Sequence, residues 1–181
     1  MTTVAQTATG VALAMALVSS RAPAEASSPN SCDGVTLFTI SKSENRNEVV
    51  YAVRVDENCF PMGTTPIFAY WRMHEHGPTV TEPLLGVEEP AYGIARERVM
   101  ALGADGGTFE IALRAIPNRP IVVQTKRQDG SCHAWATVSI AGKEAILFNV
   151  YARLRWLGVE YLLLSGWTID RTRVVHEKIQ R

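Results

Sequence analysis

The stretch Lys143-Glu-Ala-Ile-Leu-Phe-Asn-Val-Tyr-Ala-Arg-Leu-Arg-Trp156, running on into Leu157-Gly-Val-Glu-Tyr-Leu-Leu-Leu-Ser-Gly166, decides the fold class. In an extended chain successive side chains point to opposite faces. Ile146, Phe148, Val150, Ala152, Leu154 and Trp156 then fall on one side, and Asn149, Tyr151, Arg153 and Arg155 on the other. That is the pattern of a half-buried strand. Val49, Tyr51, Val53 and Val55 repeat it upstream, as do Phe109, Ile111 and Leu113, and no segment sustains a 3.6-residue period.

Working outward, β-branched and aromatic runs are punctuated by turn residues from Val35 to Ile179, which predicts about ten strands. Asp105-Gly106, Asp129-Gly130 and Ala141-Gly142 suit two-residue hairpins, where positive φ is required. Sequential hairpins with few open edges predict an all-β domain: an antiparallel up-and-down or partly closed β-barrel of about 8–10 strands. A two-sheet sandwich is the alternative. Between His76 and Tyr92, Gly77, Pro78, Pro83, Gly86 and Pro90 interrupt any strand. A long loop there, with one helical turn at Glu88-Glu89-Pro90-Ala91-Tyr92-Gly93, would cover one mouth of the barrel.

The chain has 181 residues, with 18 Lys+Arg against 18 Asp+Glu and no net charge. A single domain of this size carries a sizeable core. The charge balance argues against nucleic acid as a partner, since counterion release needs a basic surplus. Residues 1–26 read as a signal peptide, with the apolar run Val11 to Val18 and small residues Ala24-Glu25-Ala26 before the cut, although Met1 to Gly10 lacks Lys and Arg. Residues 27–34 form a linker and 35–181 the single β-rich domain, exported to the periplasm or the exterior and without a transmembrane segment. In an oxidising compartment two of the three cysteines pair, and the expected bridge is Cys32 with Cys132 or Cys32 with Cys59.

Three further segments carry a resemblance. Ser41-Lys-Ser-Glu-Asn45-Arg-Asn47-Glu-Val-Val-Tyr51, Pro66-Ile-Phe-Ala-Tyr70-Trp71, and Glu88 or Glu89 with Ala91-Tyr92-Gly93 resemble, in order and spacing, the motifs of an uncharacterised family of bacterial exported domains of unknown function. The likeness extends roughly from Leu37 to Leu164, with Leu157 to Gly166 similar to the family's closing hairpin. It implies one secreted β-rich domain and no established activity.

Candidate sites follow from side-chain chemistry. Phe68, Tyr70, Arg72 and His74 alternate with Ile67, Ala69, Trp71 and Met73, so both faces of one strand are large. Such a strand lines a cavity or lies between layers, and Tyr70 and Arg72 with Glu89 and Tyr92 from the long loop suit a small or lipid-like organic ligand or an envelope component. The plainer alternative pairs Arg72 with Glu88 or Glu89 to pin the loop. Asn45 and Arg46 stand at the barrel mouth as polar selectors, or serve as turn residues. His74 and His76 share a strand face and offer two metal ligands, the third to come from Glu88, Glu89 or His133. That arrangement would make a metal-dependent hydrolase, and a structural or protein-interaction module is the remaining reading. No motif calls for a cofactor. Cys132 and His133 are adjacent and point apart, so they form no catalytic pair, and the chain reads as a binding domain rather than an enzyme.

Overall fold

A computed structural model describes residues 34–74, 77–156 and 158–181. The expected leader, Cys32 and His76 lie outside the described residues. The described chain forms β1 (Val35–Lys42), β2 (Glu48–Val53), β3 (Ile67–Met73), β4 (Val80–Pro83), α1 (Glu89–Tyr92), β5 (Ile94–Gly103), β6 (Gly106–Leu113), β7 (Ile121–Gln128), β8 (Ser131–Ile140), β9 (Lys143–Arg155), β10 (Gly158–Thr168) and β11 (Val174–Gln180). No helix among these residues is long and apolar enough to cross a membrane.

All eleven strands belong to one sheet with the path β4-β3-β2-β1-β9-β8-β7-β6-β5, and β10 and β11 branch from β9. The fold is therefore all-β, and the sheet does not close. Two antiparallel meanders, β1–β4 and β5–β11, are joined by one parallel ladder in which Thr39–Lys42 of β1 runs beside Asn149–Ala152 of β9. This mixed connection corrects the expected single antiparallel meander. Its cause is the crossover through α1, which starts the second meander at the far edge, so that β9 returns to β1 in the same direction.

The hairpins of the second meander follow the turn chemistry. Asp129 and Gly130, and Ala141 and Gly142, all have positive φ, as a type I′ turn demands. The turn between β5 and β6 differs: Gly103 pairs with Gly106, so Ala104-Asp105 forms the turn and Gly106 opens the next strand. A Cβ on Gly106 would lie 2.0 Å from the Thr125 carbonyl oxygen.

One edge of β9 pairs with β10 for most of its length, while the other is shared by β8, up to Leu147, and β1, from Asn149. Phe148 lies between the two partners, and the β10 register slips at the same point, with Gly166 opposite Leu147 and Ser165 opposite Asn149. This bulge reverses the alternation. Ala145 and Leu147 face the core before it, Val150 and Ala152 after it, and Phe148 is 37% exposed. The expected continuous apolar face from Ile146 through Phe148 to Trp156 is thus corrected. Asn149 secures the junction, its Nδ2 donating to Thr39 Oγ1 at 3.0 Å and to Ser41 Oγ at 3.1 Å.

The two halves face each other across one core that takes Phe38, Val49, Tyr51 and Trp71 from the first meander and Phe109, Ile111, Ile121 and Val123 from the second. Phe38 and Tyr51 stack at 4.6 Å. Tyr51 is fully buried and its hydroxyl donates to the Tyr92 carbonyl, which ties α1 to the core. Burial pushes that phenol far above its ordinary range. Tyr92 meets Trp71 edge-on at 5.3 Å, and Gly93 ends the helical turn with its N–H on the Glu89 carbonyl at 2.7 Å. A Cβ on Gly93 would lie 2.5 Å from that carbonyl oxygen, so only glycine fits.

The disulfide joins Cys59 to Cys132, with Cα atoms 5.4 Å apart, and overturns both expected pairings through Cys32. Cys59 is buried in the loop between β2 and β3, and that loop crosses to the second meander. Thr125 Oγ1 donates to the Cys59 carbonyl at 3.1 Å, and Arg127 Nη1 donates to Asn58 Oδ1 at 2.7 Å. The bridge thus clamps one half to the other, spanning a separation of 73 residues that the spacing of the cysteines does not reveal. Loop-closure entropy values such a bridge at about 4 kcal/mol. Urea unfolding of a Cys59→Ser/Cys132→Ser variant is expected to show a loss of roughly that size. Gly93→Ala is expected to lower the melting temperature by several degrees and to release α1, read as faster amide exchange at Tyr92 and at position 93.

Candidate functional site

The two meanders leave a seam. β4 pairs with β3 only along Tyr70–Met73, so the outer edge of Ile67–Ala69 carries no strand and looks toward β5. β5 pairs with β6 on its other side. Between them lies a cavity of about 470 Å³. Its apolar wall is built by Ile67, Ala69, Leu84 and Ile94, and its polar groups come from Arg54, Tyr70, Glu89 and Glu97.

Glu97 bridges the seam. Its carboxylate lies against the Ile67 N–H at the bare strand edge, and Oε1 is buried without a hydrogen-bond partner. Desolvation raises this carboxyl above its ordinary value, and the Ile67 N–H opposes the shift. Arg54 lays its guanidinium 3.7 Å from the centroid of the Phe68 ring, on the same side of β3 as Tyr70. The site therefore offers an apolar wall, a cation on an aromatic plane and a carboxyl whose burial favours its neutral form.

Tyr70 and Glu89, of the residues the sequence singles out, line this cavity. Arg72 does not: it pairs with Glu48 directly across β2 at 3.1 Å, so the expected pairing with Glu88 or Glu89 is corrected. Glu88 instead accepts the Leu85 N–H at 2.9 Å and shapes the approach to α1. Tyr92 lies against Trp71 in the main core, whereas Tyr70 belongs to a small second cluster with Val50 and Ala52. Neighbouring strand residues face opposite sides, so Tyr70, Arg72 and Tyr92 do not wall one pocket. Asn45 Oδ1 accepts the Asn47 N–H at 3.1 Å in an Asx turn, and Arg46 is exposed in the same loop, away from the seam.

His74 has its Nε2 3.5 Å from Glu48 Oε1 and its Nδ1 3.2 Å from Thr79 Oγ1. Glu48, not Glu88 or Glu89, is the acid beside it. Among the described residues, no three His, Cys, Asp or Glu side chains gather as a metal site would require.

Glu97 and Arg54 are absent from the sequence reading, and the reason is local. Glu97 lies in Ile94-Ala-Arg-Glu-Arg-Val99, flanked by charges that read as a solvated strand, and only the approach of β3 desolvates it. Arg54 follows an apolar strand directly and looks like its solvated end.

A family model described as a domain of unknown function (DUF4833) matches residues 38–178. No curated protein and no solved structure matches the chain. The matched span runs from Phe38 in β1 to Lys178 in β11 and so takes in both meanders, the parallel junction and the seam: the chain belongs to the DUF4833 family of domains of unknown function.

Proposed function

We propose that the domain binds a small amphipathic molecule in the seam between β3 and β5, non-covalently and without chemical turnover. The observation that carries this reading is the buried, unpartnered Oε1 of Glu97 at a cavity with an apolar wall. A buried acceptor without a partner costs free energy that a ligand donor would recover. The favoured ligand therefore has a hydrocarbon body lying on Ile67, Leu84 and Ile94, and a hydroxyl or ammonium head reaching Glu97. An exported setting, in which such a ligand would be a lipid-like or envelope component, is supported by the Cys59–Cys132 disulfide.

Thermal melts of the full chain with decylamine, decanol and decanoate, each below its micellar range, test the reading. Decylamine and decanol are expected to raise the melting temperature, and decanoate, which would bring a second carboxylate to Glu97, to raise it less. Ala95→Trp, an exposed position at the mouth, is expected to abolish the shift while leaving the unliganded melt unchanged. No shift with any of the three, or equal shifts in wild type and Ala95→Trp, would discard the site.

Glu97 also sets a pH dependence. Its carboxyl is held above the ordinary value near 4.5, so the folded chain keeps a proton that the unfolded chain has released. Stability falls as pH rises from the ordinary value through the raised one. Glu97→Gln removes that ionisation and is expected to gain stability relative to wild type across this window, measured by urea unfolding between about pH 4 and 8.

A further inference from the structure

The outer face of the second meander carries a feature independent of the seam. Core residues of β8 alternate Ala134, Ala136, Val138 and Ile140, which turns His133, Trp135, Thr137 and Ser139 outward. β7 likewise turns Gln124 outward, directly opposite Trp135. On this face lies a depression of about 680 Å³, lined by Gln124, His133, Trp135, Thr137, Ile146 and Arg171 among others. It continues on both sides. Toward β5 and β6, a second depression of about 590 Å³ shares Gln124, Gln128 and Trp135 with the first. Toward the start of β7, a third of about 520 Å³ shares Thr137 and Glu144. Together they form one groove across the sheet with Trp135 near its middle.

The bulge in β9 extends the aromatic surface. Trp135 stands one residue beyond the Ala136–Leu147 pair, on the β8 side of Phe148. Phe148, turned outward by the bulge, packs on Trp167 at 5.9 Å, and these rings are 37% and 41% exposed. Trp167 pairs with Ile146, a wall of the groove. Exposed rings grouped on one sheet face are more than scattered surface apolar residues.

The surroundings select the ligand. A polyanion needs a basic surplus, but Asp105, Asp129 and Glu144 balance Lys126, Arg119 and Arg171 along the groove, and Arg119 is already held by Glu177 at 2.6 Å. A purely apolar partner would strand the amide and imidazole groups of Gln124 and His133. A pyranose ring suits both surfaces, because its C–H face lies flat on an indole while its rim hydroxyls exchange hydrogen bonds with amides, hydroxyls and carboxylates. The three adjoining depressions suit several rings in series.

We propose that the groove on the outer face of β7, β8 and β9, centred on Trp135 and flanked by Trp167, binds an uncharged pyranose oligomer. This site is separate from the seam, and the test distinguishes them. The oxidised full chain is titrated with chitohexaose, cellohexaose and maltohexaose, followed by tryptophan fluorescence and by calorimetry. At least one oligomer is expected to bind saturably and to change the emission. Trp135→Ala is expected to weaken binding by about tenfold, as loss of one stacking ring does. Arg171→Ala, in the exposed turn between β10 and β11, is expected to weaken it severalfold. Trp156→Ala, which removes an indole 92% exposed at the far end of β9, and Glu97→Gln, in the seam, are expected to leave it unchanged. Binding by none of the three oligomers would overturn the proposal. So would binding that survives both Trp135→Ala and Trp167→Ala, or binding confined to polygalacturonate or oligo-dT, which would make the face an anion surface.

Discussion

Every other part of this fold depends on how β9 divides one edge between two partners. A strand has two edges, and β9 gives one to β10 while β8 and β1 must follow each other along the second. They cannot do so on an uninterrupted pleat, because their half-sheets leave in different directions. The extra residue at Phe148 supplies the break, and it comes at the exchange from Leu147 to Asn149. A bulge of this kind bends and twists the strand. The two meanders are thereby turned toward each other, and the shared core of Phe38, Tyr51, Phe109 and Ile121 becomes possible.

The same division explains why the sheet stays open. The first meander ends in β4, four residues long, and the second begins with β5, most of which is exposed. Neither edge is built to pair with the other along its length. Along this open side the halves are held instead by point contacts: the Cys59–Cys132 bridge, Thr125 on the Cys59 carbonyl, and Glu97 against the Ile67 N–H. A carboxylate capping a bare strand edge protects it from foreign strands as a paired neighbour would, and leaves space beside it. The seam cavity is what point contacts leave where a ladder would have filled the gap.

What the sequence makes legible, and what it hides, divides along the range of the interactions. Local rules hold: Ala141-Gly142 and Asp129-Gly130 make tight turns, Val49, Tyr51 and Val53 face the core, and β3 presents large residues on both sides. Each of these depends on residues within a few positions of one another. The parallel β1–β9 ladder joins segments about a hundred residues apart, and no periodicity in either strand announces it. The bulge at Phe148 is invisible for a related reason. Leu-Phe-Asn-Val reads equally well as an unbroken alternation, and only the competition between β8 and β1 breaks it. The cysteine spacing favours no pairing, since the geometry that brings Cys59 to Cys132 is tertiary.

The candidate sites show the same limit in chemical terms. Tyr70 and Glu89 can be picked from sequence because an aromatic strand followed by an interrupted loop is itself unusual. Glu97 cannot, because a carboxylate between two arginines is ordinary until a second strand removes its water. Trp135 is hidden differently: in Cys132-His-Ala-Trp-Ala-Thr-Val138 it reads as one more apolar strand residue, yet parity with Ala134 and Ala136 in the core sends it outward. An indole so placed is half-buried and lies outside the core cluster. Its position beside Gln124, and on the β8 side of the ring that the bulge expels, ties the outer groove to the device that folds the sheet. The bulge in β9 thus acts on both faces, turning Leu147 and Val150 into the core while setting Phe148 against Trp167 outside it.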